Sequence, residues 1–237
     1  MKNLYSFLII LTFFASCNED LNVPHEVNTN AITNRVRDVL PLNSDNPYDK
    51  VGLFHNELFE TYYEGINLPN NIVDMVRRVD SIARSSALFI SLADYAYQLL
   101  SASRVAYIVQ HKRTCVAQVI TNSSLSADAE VNLAGFINML VTHFDTGCSG
   151  ELLYDYVAKY EDIIINNPNY TSKDKKIILI TTSVARHSSY RARKRPKNNF
   201  DPDWIVLVGN VIAATEGVEE SDAKAATMAL ATGVAQN

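Results

Sequence analysis

The sequence predicts an all-α fold: a single compact multi-helix domain of about seven to nine helices. Three observations carry that expectation. Glycine and proline number only 8 and 7 in 237 residues, against typical usage of roughly 7% and 5%, so sandwiches and barrels would lack residues for their tight turns. Between Pro69 and Gly135 the chain contains neither residue, although strands need a turn about every 8 to 12 positions. Apolar residues recur three and four apart in nearly every segment, with no convincing strand and no repeat of fixed period.

The elements follow in order. Asn46 offers an N-cap and Pro47 a first helical position; Val51, Phe54, Leu58 and Tyr62 then share one face, and Gly65 closes the helix. After Pro69, helical spacing links Ile72, Val76, Val79 and Ala83, then Leu88, Leu92, Tyr95 and Leu99, then Val105, Ile108 and Val109. One helix of that length is improbable in a compact domain. Breaks are therefore expected at Ser85-Ser86, at Ser101 to Ser103 and at Thr121 to Ser124, where hydroxyls compete for backbone groups. Capping logic places further helices from Ser126 to about His143, from Ser149 to Asn166, and from Ser172 to about Arg191. Asp201-Pro202 opens another that ends near Gly217, and an Ala-rich helix runs from Ser221 to about Ala235.

A composition of 47% hydrophobic and 20% charged residues is that of a globular chain able to bury a sizeable core. The formal net charge is −5. The first sixteen residues carry only Lys2, so the remainder holds 21 − 1 = 20 basic against 26 acidic side chains. That excess argues against nucleic acid as a partner.

Lys2 precedes an almost unbroken apolar run from Leu4 to Phe14, followed by the small pair Ala15-Ser16. This is the layout of a secretory signal. Eleven residues make a helix of about 16 Å, short of the roughly 30 Å hydrocarbon core. Phe14-Ala15-Ser16-Cys17 resembles the lipobox of bacterial lipoproteins, in which the signal peptide is cut before a diacylated cysteine. The resemblance implies residues 1–16 as signal peptide, Cys17 as the lipidated residue, and the membrane as a partner reached through acyl chains. Asn18-Glu19-Asp20 lacks the Asp beside the cysteine that resembles an inner-membrane retention signal, so an outer-membrane lipoprotein is implied. The acidic stretch is similar to export signals of Bacteroidota surface lipoproteins; the periplasmic and surface faces both stay open. Residues 17–46, polar and rich in Asn, read as a lipidated tether, and 47–237 as the helical domain.

Catalytic patterns fail one after another. The residues three before His25, His55, His111, His143 and His187 are Asn22, Gly52, Ile108, Leu140 and Val184, which removes the Glu-x-x-His signature of di-iron bundles. Zincin, Cys-x-x-Cys, nucleophile-elbow and P-loop patterns are also missing, so no catalytic residue, cofactor or metal is expected. The densest polar cluster is His55, Glu57, Glu60 and Glu64 on the first helix. It is a candidate cation or acid/base site, in competition with a solvated helix face. Arg186, Arg191, Arg193, Lys194, Arg195 and Lys197 put six basic residues into twelve positions, the best candidate for an anionic ligand. The competing reading is a helix C-terminus complementing its dipole. Gly209, Ala213 and Gly217, then Ala225, Ala229 and Gly233, recur every four residues, which favours close helix packing inside the domain over membrane insertion. Cys115 and Cys148 are an even pair and a candidate disulfide in an oxidising compartment.

These readings converge on a lipid-anchored, exported helical module with a binding or structural role at the cell envelope. A protein or an anionic ligand is the expected partner, and no catalysis is evident. An enzyme with a dispersed acid/base site near the first helix, and a secreted effector whose small-residue-rich C-terminus engages a membrane, are the alternatives.

Overall fold

The computed structural model describes residues 41–93, 97–146, 150–192 and 203–236. Among them every regular element is a helix and there is no strand; the ten helices are α1 (Asp49–Glu64), α2 (Ile72–Ser85), α3 (Ala87–Leu92), α4 (Ala102–Gln110), α5 (Lys112–Asn122), α6 (Ala127–Asp145), α7 (Gly150–Asn166), α8 (Ser172–Ala192), α9 (Asp203–Gly217) and α10 (Asp222–Val234). The expected fold class is the observed one. Ten helices stand in place of seven to nine because the segment expected as one helix between Ser103 and Thr121 is split at His111 into two.

The serine-marked breaks fall where the hydroxyls take over backbone groups. Ser86 Oγ accepts from the Leu88 amide and Ser101 Oγ from the Arg104 amide, capping α3 and α4. α8 is capped one residue earlier than expected. Thr171 Oγ1 accepts from the Asp174 amide while Asp174 accepts from the Thr171 amide, a reciprocal capping box.

Two interruptions lack such a marker. After Leu92 the expected helix through Leu99 does not continue, because side chains satisfy the backbone in its place. Asp80 accepts from the Leu100 amide at 3.1 Å and the Tyr97 hydroxyl at 2.6 Å, while Lys224 Nζ donates to the carbonyls of Gln98 and Leu99. At His111 the backbone amide reaches back to the carbonyls of Tyr107 and Ile108, and α5 starts afresh.

α10 is the centre of the body. It packs against α9, α1, α2, α4, α8 and α3, and every residue from Ala223 to Val234 is buried. A helix enclosed on all sides needs small residues all round, which accounts for its alanines. The α9–α10 turn is equally tight: a Cβ on Gly217 would lie 2.7 Å from the Lys224 carbonyl oxygen. The four-residue spacing of small residues is thus used for helix packing within the body. Around this pair, α1 and α7 flank α8, and α5 and α6 lie against α9.

Candidate functional site

The most concentrated chemistry among the described residues lies where the chain enters the body, between the strap 41–48, α1, α7 and α8. α8 presents a polar line, Ser183, Arg186 and His187, within a buried apolar run that includes Ile177 to Ile180, Val184 and Ala185. Spacings of three and four place the three side chains on one helix face. α1 contributes Asp49 in its first turn and Gly52 one turn later.

Gly52 sets the approach of the two helices. A Cβ there would stand 2.3 Å from Ser183 Oγ and 2.4 Å from His187 Cδ2, so only glycine lets α1 and α8 meet this closely. The Gly52 amide donates to Ser183 Oγ at 3.2 Å. Ser183 Oγ in turn donates to Asp49, toward its carbonyl oxygen (3.2 Å) and Oδ1 (3.1 Å).

Arg186 is fully enclosed. Its Nη2 lies 2.6 Å from Asp49 Oδ1 and 3.2 Å from Glu161 Oε1, and its Nε donates to Glu161 Oε2 at 3.2 Å. The remaining Nη1 donates to the Pro41 carbonyl. Asn43 and Asn46 each donate a side-chain amide to Glu161, at 2.6 and 2.9 Å, and Asn46 also reaches the Leu179 carbonyl. Two carboxylates, a guanidinium and two amides thus leave few valences open, the condition under which a buried ion pair is tolerated. The Tyr154 hydroxyl fastens the Leu42 carbonyl beside it.

His187 Nε2 stands 3.3 Å from Asp49 Oδ1. Burial is the largest influence on this imidazole and holds its pKa below the usual 6.5, against the pull of Asp49. Burial pushes Asp49 upward, yet the His187 hydrogen bond and the Arg186 charge outweigh it and leave the carboxyl below its usual 3.8. Serine, histidine and aspartate therefore meet here, in the wrong order for nucleophilic catalysis. A nucleophilic serine needs the imidazole between it and the carboxylate; here both Ser183 and His187 turn to Asp49. Ser183 and His187 are also 0% exposed, which closes the hydroxyl to substrate. The chemistry this arrangement performs is to fasten the strap to α7 and α8.

The sequence-derived candidates are dispersed. Arg186, expected at the head of an anion-binding stretch, is turned inward and neutralised by the protein's own carboxylates. Arg191 lies in the last turn of α8, with its side chain outside the described residues, as are Arg193, Lys194, Arg195 and Lys197. His55 is buried in the α1 interface, whereas Glu57 is half-buried and Glu60 and Glu64 are exposed. The imidazole and the carboxylates thus point to different sides of α1. Among the described residues no group of three or more His, Cys, Asp or Glu side chains is placed to hold a metal ion. Cys115 is a free, buried thiol, and Cys148 lies outside the described residues, as does Cys17. Burial raises the Cys115 pKa, with the neighbouring Arg104 opposing it, so the thiolate needed for exchange is disfavoured.

No sequence motif joins Asp49, Glu161, Ser183 and His187. The signal available was the set of polar residues at 183, 186 and 187, spaced three and four apart after the apolar stretch Ile177 to Ile180, together with a glycine one turn after Asp49. Comparison with protein-family models, curated proteins and solved structures finds no match.

Proposed function

We propose that the protein is a lipid-anchored helical module of the cell envelope, held at the outer membrane through acylated Cys17 and acting by binding or as a structural component. The observation that carries this reading is the run from Lys2 through Leu4–Phe14 to Ala15-Ser16-Cys17. The body fits it in two respects. No described helix is long and apolar enough to cross a membrane. The ionisable groups gathered at the strap are engaged with one another, which suits a body held firmly at the end of a tether. Acyl chains contribute about 0.8 kcal/mol per buried CH₂, so two or more would hold the module at a bilayer.

The test is mass spectrometry of the protein from its native envelope, together with metabolic labelling by a fatty-acid analogue. The expected product begins at Cys17 with acyl mass added, fractionates with the outer membrane, and loses the label in Cys17→Ser. An intact leader and an unmodified sulfur would overturn the reading.

A further inference from the structure

The strap is joined to the body by hydrogen bonds that meet at one buried cluster. The Pro41 carbonyl accepts from Arg186, and the side-chain amides of Asn43 and Asn46 donate to Glu161. The Asn43 backbone amide donates to Asp49 Oδ2 at 3.2 Å. The other oxygen of Asp49 is crowded by three donors: Arg186 Nη2 at 2.6 Å, Ser183 Oγ at 3.1 Å and His187 Nε2 at 3.3 Å. Leu42, Ser44, Asp45 and Pro47, half of the strap, are exposed.

His187 is the one member of this cluster with an unused valence. A carboxylate only accepts, so Nε2 carries the proton of the neutral ring and Nδ1 is bare. Nδ1 is buried and, among the described residues, has no partner. A second proton there would need an acceptor, and the neighbouring charges are already placed. Asp49 comes from α1, Glu161 from α7 and Arg186 from α8 itself, the last opposing an imidazolium. On α9 and α10, Glu216 is held by Arg104, Asp222 by Lys176 and Lys224 by Glu220. His55, one turn beyond Gly52, is the buried imidazole that α1 carries.

We propose that His187 is a proton-operated latch: a second proton on its ring releases the strap 41–48 while the helical body stays folded. Of the walls around the cluster, the strap yields first. It is short and half exposed, whereas α1 and α7 pack along α8, and segments with few buried contacts open at the lowest cost. Its departure lets water reach Nδ1 and solvate the imidazolium. The folded pKa below 6.5 has the sign this needs, since the closed form resists the proton and the open form takes it. A freed strap of eight residues adds about 26 Å of extended chain. Only the use of that length as reach rests on the lipid anchor; the latch itself stands without it.

Hydrogen exchange of the full chain, followed from about pH 7.5 to about pH 5.5 and corrected for the intrinsic effect of acidity, tests the latch. Protection of the Asn43 and Asn46 amides is expected to fall about tenfold over that range, the change given by one group of ordinary imidazole pKa titrating only in the open form. The amides of α10 are expected to keep their protection. His187→Gln retains a donor for Asp49 without a titrating ring and is expected to hold the strap closed throughout, whereas His55→Gln is expected to respond as the parent does. Strap protection indifferent to pH, an equal loss in α10, or a response abolished by His55→Gln and kept by His187→Gln would each overturn the proposal. Should His187→Gln fail to fold, the ring resonances of His187 in the parent decide the matter. They are expected to shift over the same pH range as the strap opens, and a shift in a separate range would count against the latch.

Discussion

Arg186 shows how far a residue's role can lie from its local sequence. It heads a run of basic residues, and sequence alone suggests a side chain offered to external anions. Its actual partners, Glu161 and Asp49, are 25 and 137 positions away, and no local pattern announces them. The charge is tolerated because both sides of the guanidinium are filled. Removing it leaves two carboxylates without their cation, an error that typically costs about 3–5 kcal/mol for a buried pair. Arg186→Met is therefore expected to lower stability by about that much in urea denaturation. The double variant Arg186→Met with Glu161→Leu should recover part of the loss, since it removes charge from both sides. A single variant as stable as the parent would mean the cluster contributes nothing to folding.

At the scale of elements, serines and threonines made most helix boundaries legible, because a short hydroxyl competes for the backbone wherever it occurs. The break after Leu92 was hidden for the opposite reason: the groups that replace its helical hydrogen bonds, Asp80 and Lys224, belong to α2 and α10. The close α1–α8 contact was hidden as well, since a lone glycine in a helix has several explanations until its neighbour is known. Here the neighbour is Ser183 and His187. Gly52→Val forces α1 and α8 apart, and overpacking of this kind typically costs about 1–3 kcal/mol. A lowered melting temperature is the expected result. Because the strap and α7 are fastened to the same face of α8, hydrogen exchange should rise first along residues 41–49, and protection unchanged there would show the contact to be dispensable.

For the molecule as a whole, the strap cluster links stability to acidity. His187 is held neutral below its usual 6.5, so just below that pH the unfolded chain binds a proton that the folded chain does not, and stability begins to fall. Asp49, whose folded pKa lies below 3.8, contributes stability that is complete above that value and is lost as pH drops through the folded one. Both effects destabilise on the acid side, in two successive windows. Melting temperature measured against pH should decline below 6.5, and His187→Gln should flatten the first part of that decline; an unchanged slope would show that another group titrates there. The all-helical class was legible from composition and spacing, since both are averages over the whole chain. Which helix lies at the centre was not, although α10's alanines were the clue. That centre is built from residues 222–234, and α1, which packs against it, begins at residue 49. Until those residues are synthesised, the faces that α1, α2, α4 and α9 turn to α10 stay uncovered. The last helix to be made is thus the one that closes the core, and a chain cut before residue 222 is expected to lack cooperative unfolding.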